Sequence, residues 1–179
     1  MTKPSSPEKK AGDLIDEAGV SRPPVPVEKI ATSLGAQVTY EAFDGDVSGM
    51  LYREADRTLI GVNSTHVATR QRFTLAHEIA HLLLHKGRPV FIDRLVRVNW
   101  RDGTSDAEEV QANAFAAELL MPRKLMTQEI DRVVARSRQV APEQLIGELA
   151  ETFRVSQEAM RYRLGNLGVL GPYSGPNDA

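Results

Sequence analysis

The chain of 179 residues is about the size of one domain and long enough to bury most of its apolar surface without covalent cross-links. A hydrophobic content of 41% and a charged content of 26% are ordinary for a globular protein, and a formal net charge of -2 argues against a general nucleic-acid or membrane-surface coat. With no cysteine there is neither a disulfide framework nor a thiolate ligand, so any bound metal must rest on His, Asp or Glu.

The opening MTKPSSPEKK lacks an apolar segment of signal-peptide length, and no apolar run approaches the roughly 18 residues that span a bilayer, so the cytoplasm is the expected location. Residues 1–10, rich in Pro, Ser and Lys, read as a disordered tail. Leu14, Ile15 and Ala18 then fall at helical spacing before Gly19. After the stiff SRPPVPV segment, Val27, Ile30, Ala31 and Leu34 repeat that spacing and stop at Gly35, a residue suited to the position just past a helix end. Three candidate strands follow, AQVTYEAF, VSGMLYRE and RTLIGVN, the last two joined by a turn at Ala55 and Asp56. From Thr65 the pattern becomes helical, with a helix expected over His66 to Lys86 and ended by Gly87. An irregular segment containing Pro89, Trp100 and Asp102-Gly103 leads to another helix from Ser105, where Ser105 and Glu108 match a capping box. Further helices are expected over Pro142 to Phe153 and Gln157 to Asn166. The organisation is α+β, with a main unit over 11–135, a helical segment over 140–168 and a flexible tail over 169–179.

Three of the four histidines stand in FTLAHEIAHLLLH, residues Phe73 to His85. Within it, His77-Glu78-Ile79-Ala80-His81 fits H-E-x-x-H. Residues four apart on a helix differ by about 40° around the axis and about 6 Å along it, so His77 and His81 can converge on one ion. Glu78, about 100° further round, is aside from that ion yet within reach of a water bound to it, the place of a general base. Zinc suits the pair because it accepts imidazole and carboxylate and lowers the pKa of its bound water to about 7. Leu75, Ile79 and Leu82 lie on the opposite side of the helix and are expected to anchor it to the core. His85 lies about 12 Å along the axis from His77, too far to share an ion with bonds near 2 Å, and reads as a helix-end residue facing the negative pole. His66, before or at the start of the helix, is a weakly supported candidate for polarising substrate.

A catalytic zinc takes three protein ligands and keeps one position for water. SDAEEVQANAFAAELLMP offers Asp106, Glu108, Glu109 and Glu118. Glu109 shares one stripe with Ala112, Asn113, Ala116 and Leu120, whereas Glu108 is about 100° away and Glu118 about 180°. The small alanines permit close approach to the histidine helix. Glu109 is therefore the expected third ligand, with Asn113, one turn on, accepting from the far nitrogen of a ligating histidine. Glu108 is assigned to the cap and Glu118 to solvent.

RQRFTLAHEIAHLLLH followed by EVQANAFAAELLMP resembles the ImmA/IrrE family of bacterial and phage metallopeptidases, whose signatures are an R-F-T-x-A-H-E-x-x-H-x-x-x-H helix and an E-x-x-A-N-x-F-A-x-x-L-L-x-P helix. The likeness runs from about Ser48 to Pro122. It implies a minimal zincin, a small and mostly antiparallel sheet beside an active-site helix with the Glu109 helix packed across it. It also implies a gluzincin-like zinc metallopeptidase with one ion per chain, held by His77, His81 and Glu109, and with Glu78 as base. The substrate implied is a helix-turn-helix repressor whose cutting releases stress, phage or mobile-element genes. Many members carry a second glutamate where this chain has Gln111.

A substrate strand is expected to add to the sheet edge at VSGMLYRE or RTLIGVN, and Tyr52 and His66 are the candidates for substrate or oxyanion contact. LIGELAETFRVSQEAMRYRLGNLGVL has the form of a helix-turn-helix, with Val155 in the turn, Ser156 as N-cap, and Arg154, Arg161 and Arg163 near the second helix. The alternative function is therefore a DNA-binding or repressor-binding regulator with a structural metal site and no proteolysis. Three arginines among many acids are a modest footprint for DNA, which is not the favoured partner.

Overall fold

A computed structural model of the chain describes residues 5–54, 56–85, 90–94, 107–136 and 140–171. Helix α1 (Pro7–Glu17) begins inside the stretch expected to be a tail. The Ser6 side chain accepts from the Lys9 amide at 3.2 Å, Pro7 occupies the first helical turn, and Ala11 and Ile15 are buried. Composition hid this helix because its lysines face outward while two apolar residues four apart suffice to dock it on a neighbour. Helix α2 (Val27–Ser33) buries Val27, Ile30 and Ala31 and is followed by Gly35 at φ 80°.

The sheet holds β1 (Ala36–Glu41), β2 (Val47–Glu54), β3 (Arg57–Asn63) and β4 (Val90–Arg94) in the order β1-β3-β2-β4. β1 runs parallel to β3, while β2 is antiparallel to both β3 and β4. Two corrections follow. β4 lies in the segment expected to be irregular, and β2 and β3 are both interior, so neither VSGMLYRE nor RTLIGVN presents an open edge. Among the described residues the edges are β1 and β4. Local alternation marks a strand but not its place in the sheet, which the returning chain decides.

Helix α3 (Ala68–Leu84) packs under β2 and β3 and against helix α4 (Ala107–Leu120). Every residue from Thr74 to His81 is buried, so α3 is enclosed on all sides there instead of showing one face to solvent. Ala112, Phe115, Ala116, Leu119 and Leu120 form the buried side of α4, which also carries α1. The expected Ser105 cap lies outside the described residues. Helices α5 (Arg123–Arg136), α6 (Pro142–Phe153) and α7 (Gln157–Asn166) complete the chain. Arg154, in the left-handed conformation at φ 53°, ends α6, and Ser156 caps α7 by accepting from the Ala159 amide at 3.1 Å. The buried side chains of α6 and α7, among them Ile146, Phe153 and Met160, join those of the sheet and α3 in one continuous core. Among the described residues no helix is long and apolar enough to cross a membrane.

Candidate metal centre

The helical periodicity of α3 and the alanine stripe of α4 bring three side chains to one point. His77, His81 and Glu109 each offer a donor atom, and these atoms all lie within 4.8 Å of one another. The two Nε2 atoms are 2.9 Å apart, and the Glu109 carboxylate lies 3.1 Å from His77 Nε2 and 3.3 Å from His81 Nε2. Ligands at tetrahedral corners with bonds near 2.1 Å stand about 3.4 Å apart, so the three donors need only a slight expansion to hold one ion. The donor chemistry agrees. Asn113 Oδ1 lies 3.0 Å from His77 Nδ1, an acceptor placed to hold the proton there when Nε2 gives its lone pair to a cation. Hydrogen bonds from His77 and then His81 hold the Glu109 carboxyl well below the usual carboxylate range, against the opposing effect of its burial. Two imidazole nitrogens and an ionised carboxylate converging in a mostly buried place fit a cation.

Glu78 is fully buried beside this group. Its carboxylate sits against β2 at Gly49, where an added Cβ would come 2.9 Å from Glu78 Oε1 and 2.4 Å from Thr74 Cγ2. Four residues further along β2, on the same face, Arg53 donates to the His85 carbonyl at 2.7 Å and to the His81 carbonyl, closing the last turn of α3. Burial pulls the Arg53 pKa down, and the nearby Glu78 carboxylate opposes that. Sequence reasoning missed Gly49 and Arg53. A glycine inside a strand pattern was the available signal for the first, since it marks close approach of another element. Nothing local pointed to the second.

The remaining expected residues fall elsewhere. Tyr52 lies on the strand face opposite Arg53, with its hydroxyl toward Glu54, whose hydrogen bond raises its pKa. His66 precedes α3 by two residues, about three turns from His77, and its carbonyl accepts from Gln71 at 2.6 Å. The structure thus brings neither to the triad. His85 does end α3, but its ring turns inward: His85 Nδ1 is 2.9 Å from His81 Nδ1, and His85 Nε2 is 3.5 Å from Gln111 Oε1. The helix-end reading took account of the pole of α3 and not of α4 covering it. Glu118 is also not at solvent. It accepts from the Arg123 amide at 2.9 Å and pairs with Arg163, whose side chain reaches that face of α4 from α7.

Residues 31–165 match the family model described as the IrrE N-terminal-like domain, Peptidase_M78. The chain is 26% identical over 155 residues to metallopeptidase ImmA of Bacillus subtilis, a match covering 79% of this chain and 83% of that protein. It is 30% identical over 111 residues to the radiation response metalloprotease IrrE of Deinococcus radiodurans, covering 62% of this chain and 32% of that one. Among solved structures, a Mycobacterium tuberculosis transcriptional regulator shares the fold with a TM-score of 0.60 at 18% identity, over 89% of this chain and 55% of that chain.

Proposed function

Because the chain belongs to the Peptidase_M78 family, with ImmA and IrrE metallopeptidases among its relatives, we propose that it is a zinc-dependent endopeptidase acting in the cytoplasm on an Xre-type helix-turn-helix repressor. The observation that carries the reading is the convergence of His77, His81 and Glu109 beside the buried Glu78. Two imidazoles and one carboxylate are the ligand set of a catalytic zinc site with a position left for water. Bound there, one zinc ion supplies a Lewis acid and a water acidified to a pKa of about 7. The protein's own residues do the rest. His77 and His81 would hold the ion through their Nε2 atoms, and Glu109 would add one negative charge. Glu78 takes the proton from the attacking water and later passes it to the leaving amine, so that the peptide bond breaks with water added across it. The substrate segment adds as a strand to the outer side of β4, an edge strand among the described residues with Val90 and Ile92 exposed, since β2 and β3 are already paired on both sides. Cutting the repressor would release the stress, phage or mobile-element genes it silences.

The test is incubation of the zinc-loaded chain with the helix-turn-helix repressors encoded near its gene, read by mass spectrometry. One discrete cut is expected. Glu78→Gln should keep zinc and slow cutting about 10²–10⁴-fold, the usual size of general acid-base catalysis. A fully active Glu78→Gln variant, or cutting that survives zinc removal, would overturn the mechanism. The DNA-binding alternative loses support from the placement of its arginines. Arg161 is held in a two-pronged contact by Glu143, at 2.9 and 2.5 Å, and Arg163 is buried against Glu118 and the Met121 carbonyl.

A further inference from the structure

A second layer of contacts stands behind His81, on the side away from the triad. Its Nε2 faces His77 and Glu109, while its Nδ1 meets His85 Nδ1 at 2.9 Å. His85 in turn turns its Nε2 to Gln111 Oε1 at 3.5 Å. We infer that Gln111 and His85 form a positioning relay that fixes the proton and the ring orientation of His81, and so set the affinity of the centre for zinc; the inference rests on the metal reading above.

The direction of the relay follows from counting protons. Two facing Nδ1 atoms can share only one hydrogen, so one ring donates and the other accepts. A His81 that gives its Nε2 lone pair to an ion carries its proton on Nδ1 and donates it. His85 must then accept at Nδ1, which puts its own proton on Nε2, pointing at Gln111. An acceptor is required at that end, and the amide oxygen supplies it. Were the amide nitrogen there instead, His85 would move its proton to Nδ1 and oppose the proton of His81. His85 cannot itself be a ligand in this arrangement, because it stands behind the ligand ring and not beside the ion. His77 reaches the same state through one residue, Asn113, while His81 uses two. Residues that orient a ligating histidine in this way typically change metal affinity by about 10–100-fold. A glutamate at position 111 would keep the acceptor and add charge, whereas the glutamine of this chain keeps the relay neutral.

The probe is zinc alone, titrated into the full chain against a chelator of known affinity, with unfolding of the metal-free protein as the control for folding. His85→Phe should weaken zinc about 10-fold or more by removing the acceptor. His85→Asn, whose side-chain oxygen can occupy the Nδ1 position, should recover most of that loss. Gln111 is exposed, so its variants test the relay without disturbing the core: Gln111→Leu should weaken zinc and Gln111→Glu should strengthen it. Equal losses in His85→Phe and His85→Asn, or unchanged affinity in both Gln111 variants, would overturn the relay while leaving the triad standing. A wild-type chain that takes up no zinc would overturn the triad first and the relay with it.

Discussion

At Gly49 the gap between β2 and the helix that carries Glu78 is too narrow for a methyl group. An added Cβ would meet Thr74 Cγ2 at 2.4 Å, Glu78 Oε1 at 2.9 Å and the Gly61 carbonyl at 3.2 Å, and only the first two can move. Gly49→Ala should therefore cost about 1–3 kcal/mol in urea unfolding through overpacking, and should lower kcat more than KM because Glu78 is displaced. A variant as stable and active as the parent would show that β2 and α3 are less closely fitted than described. His77, His81 and Glu109, which the structure brings together as a group able to hold a metal ion, could be picked out from sequence because each choice used only the period of its own helix, and the same period places the buried Glu78 next to them. Arg53 and the inward turn of His85 could not, since both depend on which element covers the end of α3. Glu109 was separable from Glu108 by face alone, and the expected outcome is that Glu109→Ala loses zinc in the same chelator titration while Glu108→Ala retains it.

Between elements, the C-terminal helices are fastened to α4 by one buried ion pair. Arg163 of α7 donates to Glu118 and, at 3.0 Å, to the Met121 carbonyl, and the two charged side chains are only 9% and 13% exposed. Removing one partner leaves the other charge buried, so Arg163→Met should destabilise by about 3 kcal/mol. Replacing both, Glu118→Met with Arg163→Met, should cost much less, and a double variant worse than the single one would show that the pair contributes net stability. This clamp explains why the helix-turn-helix pattern was readable while its use was not. Val155 in the turn, Ser156 at the cap and the apolar faces are local features, and they stand where the periodicity puts them. What an arginine on the second helix touches depends on a helix some 40 residues earlier, as the Glu118 to Arg163 separation of 45 positions shows. The sheet has the same division: the bounds of β2 and β3 follow from the local runs VSGMLYRE and RTLIGVN on either side of a turn, whereas their interior position follows from β1 returning parallel and β4 pairing on the outside.

Over the whole molecule, the triad draws side chains from both α3 and α4, two helices that pack against each other in the core. His81 and Glu109 are 109 − 81 = 28 residues apart, and α3 binds the sheet while α4 carries α1 and, through Glu118, α7. An ion held by both helices binds the folded chain and not the unfolded one, so it adds stability in proportion to its saturation. At a free zinc concentration 100 times Kd the gain is about 2.7 kcal/mol. For a chain of this size each kcal/mol raises Tm by about 2–4 °C, so zinc should raise Tm by about 5–10 °C over the chelator-treated protein. Magnesium should do far less, because it prefers a shell of oxygens and gives up its water reluctantly. Glu109→Ala should abolish most of the zinc shift, since two imidazoles on one helix no longer join it to the other. Glu78→Gln should keep the shift, since Glu78 is not among the three converging donors. A wild-type Tm unmoved by zinc would mean that the three donors do not act as one centre, and a shift that survived Glu109→Ala would place the ion elsewhere.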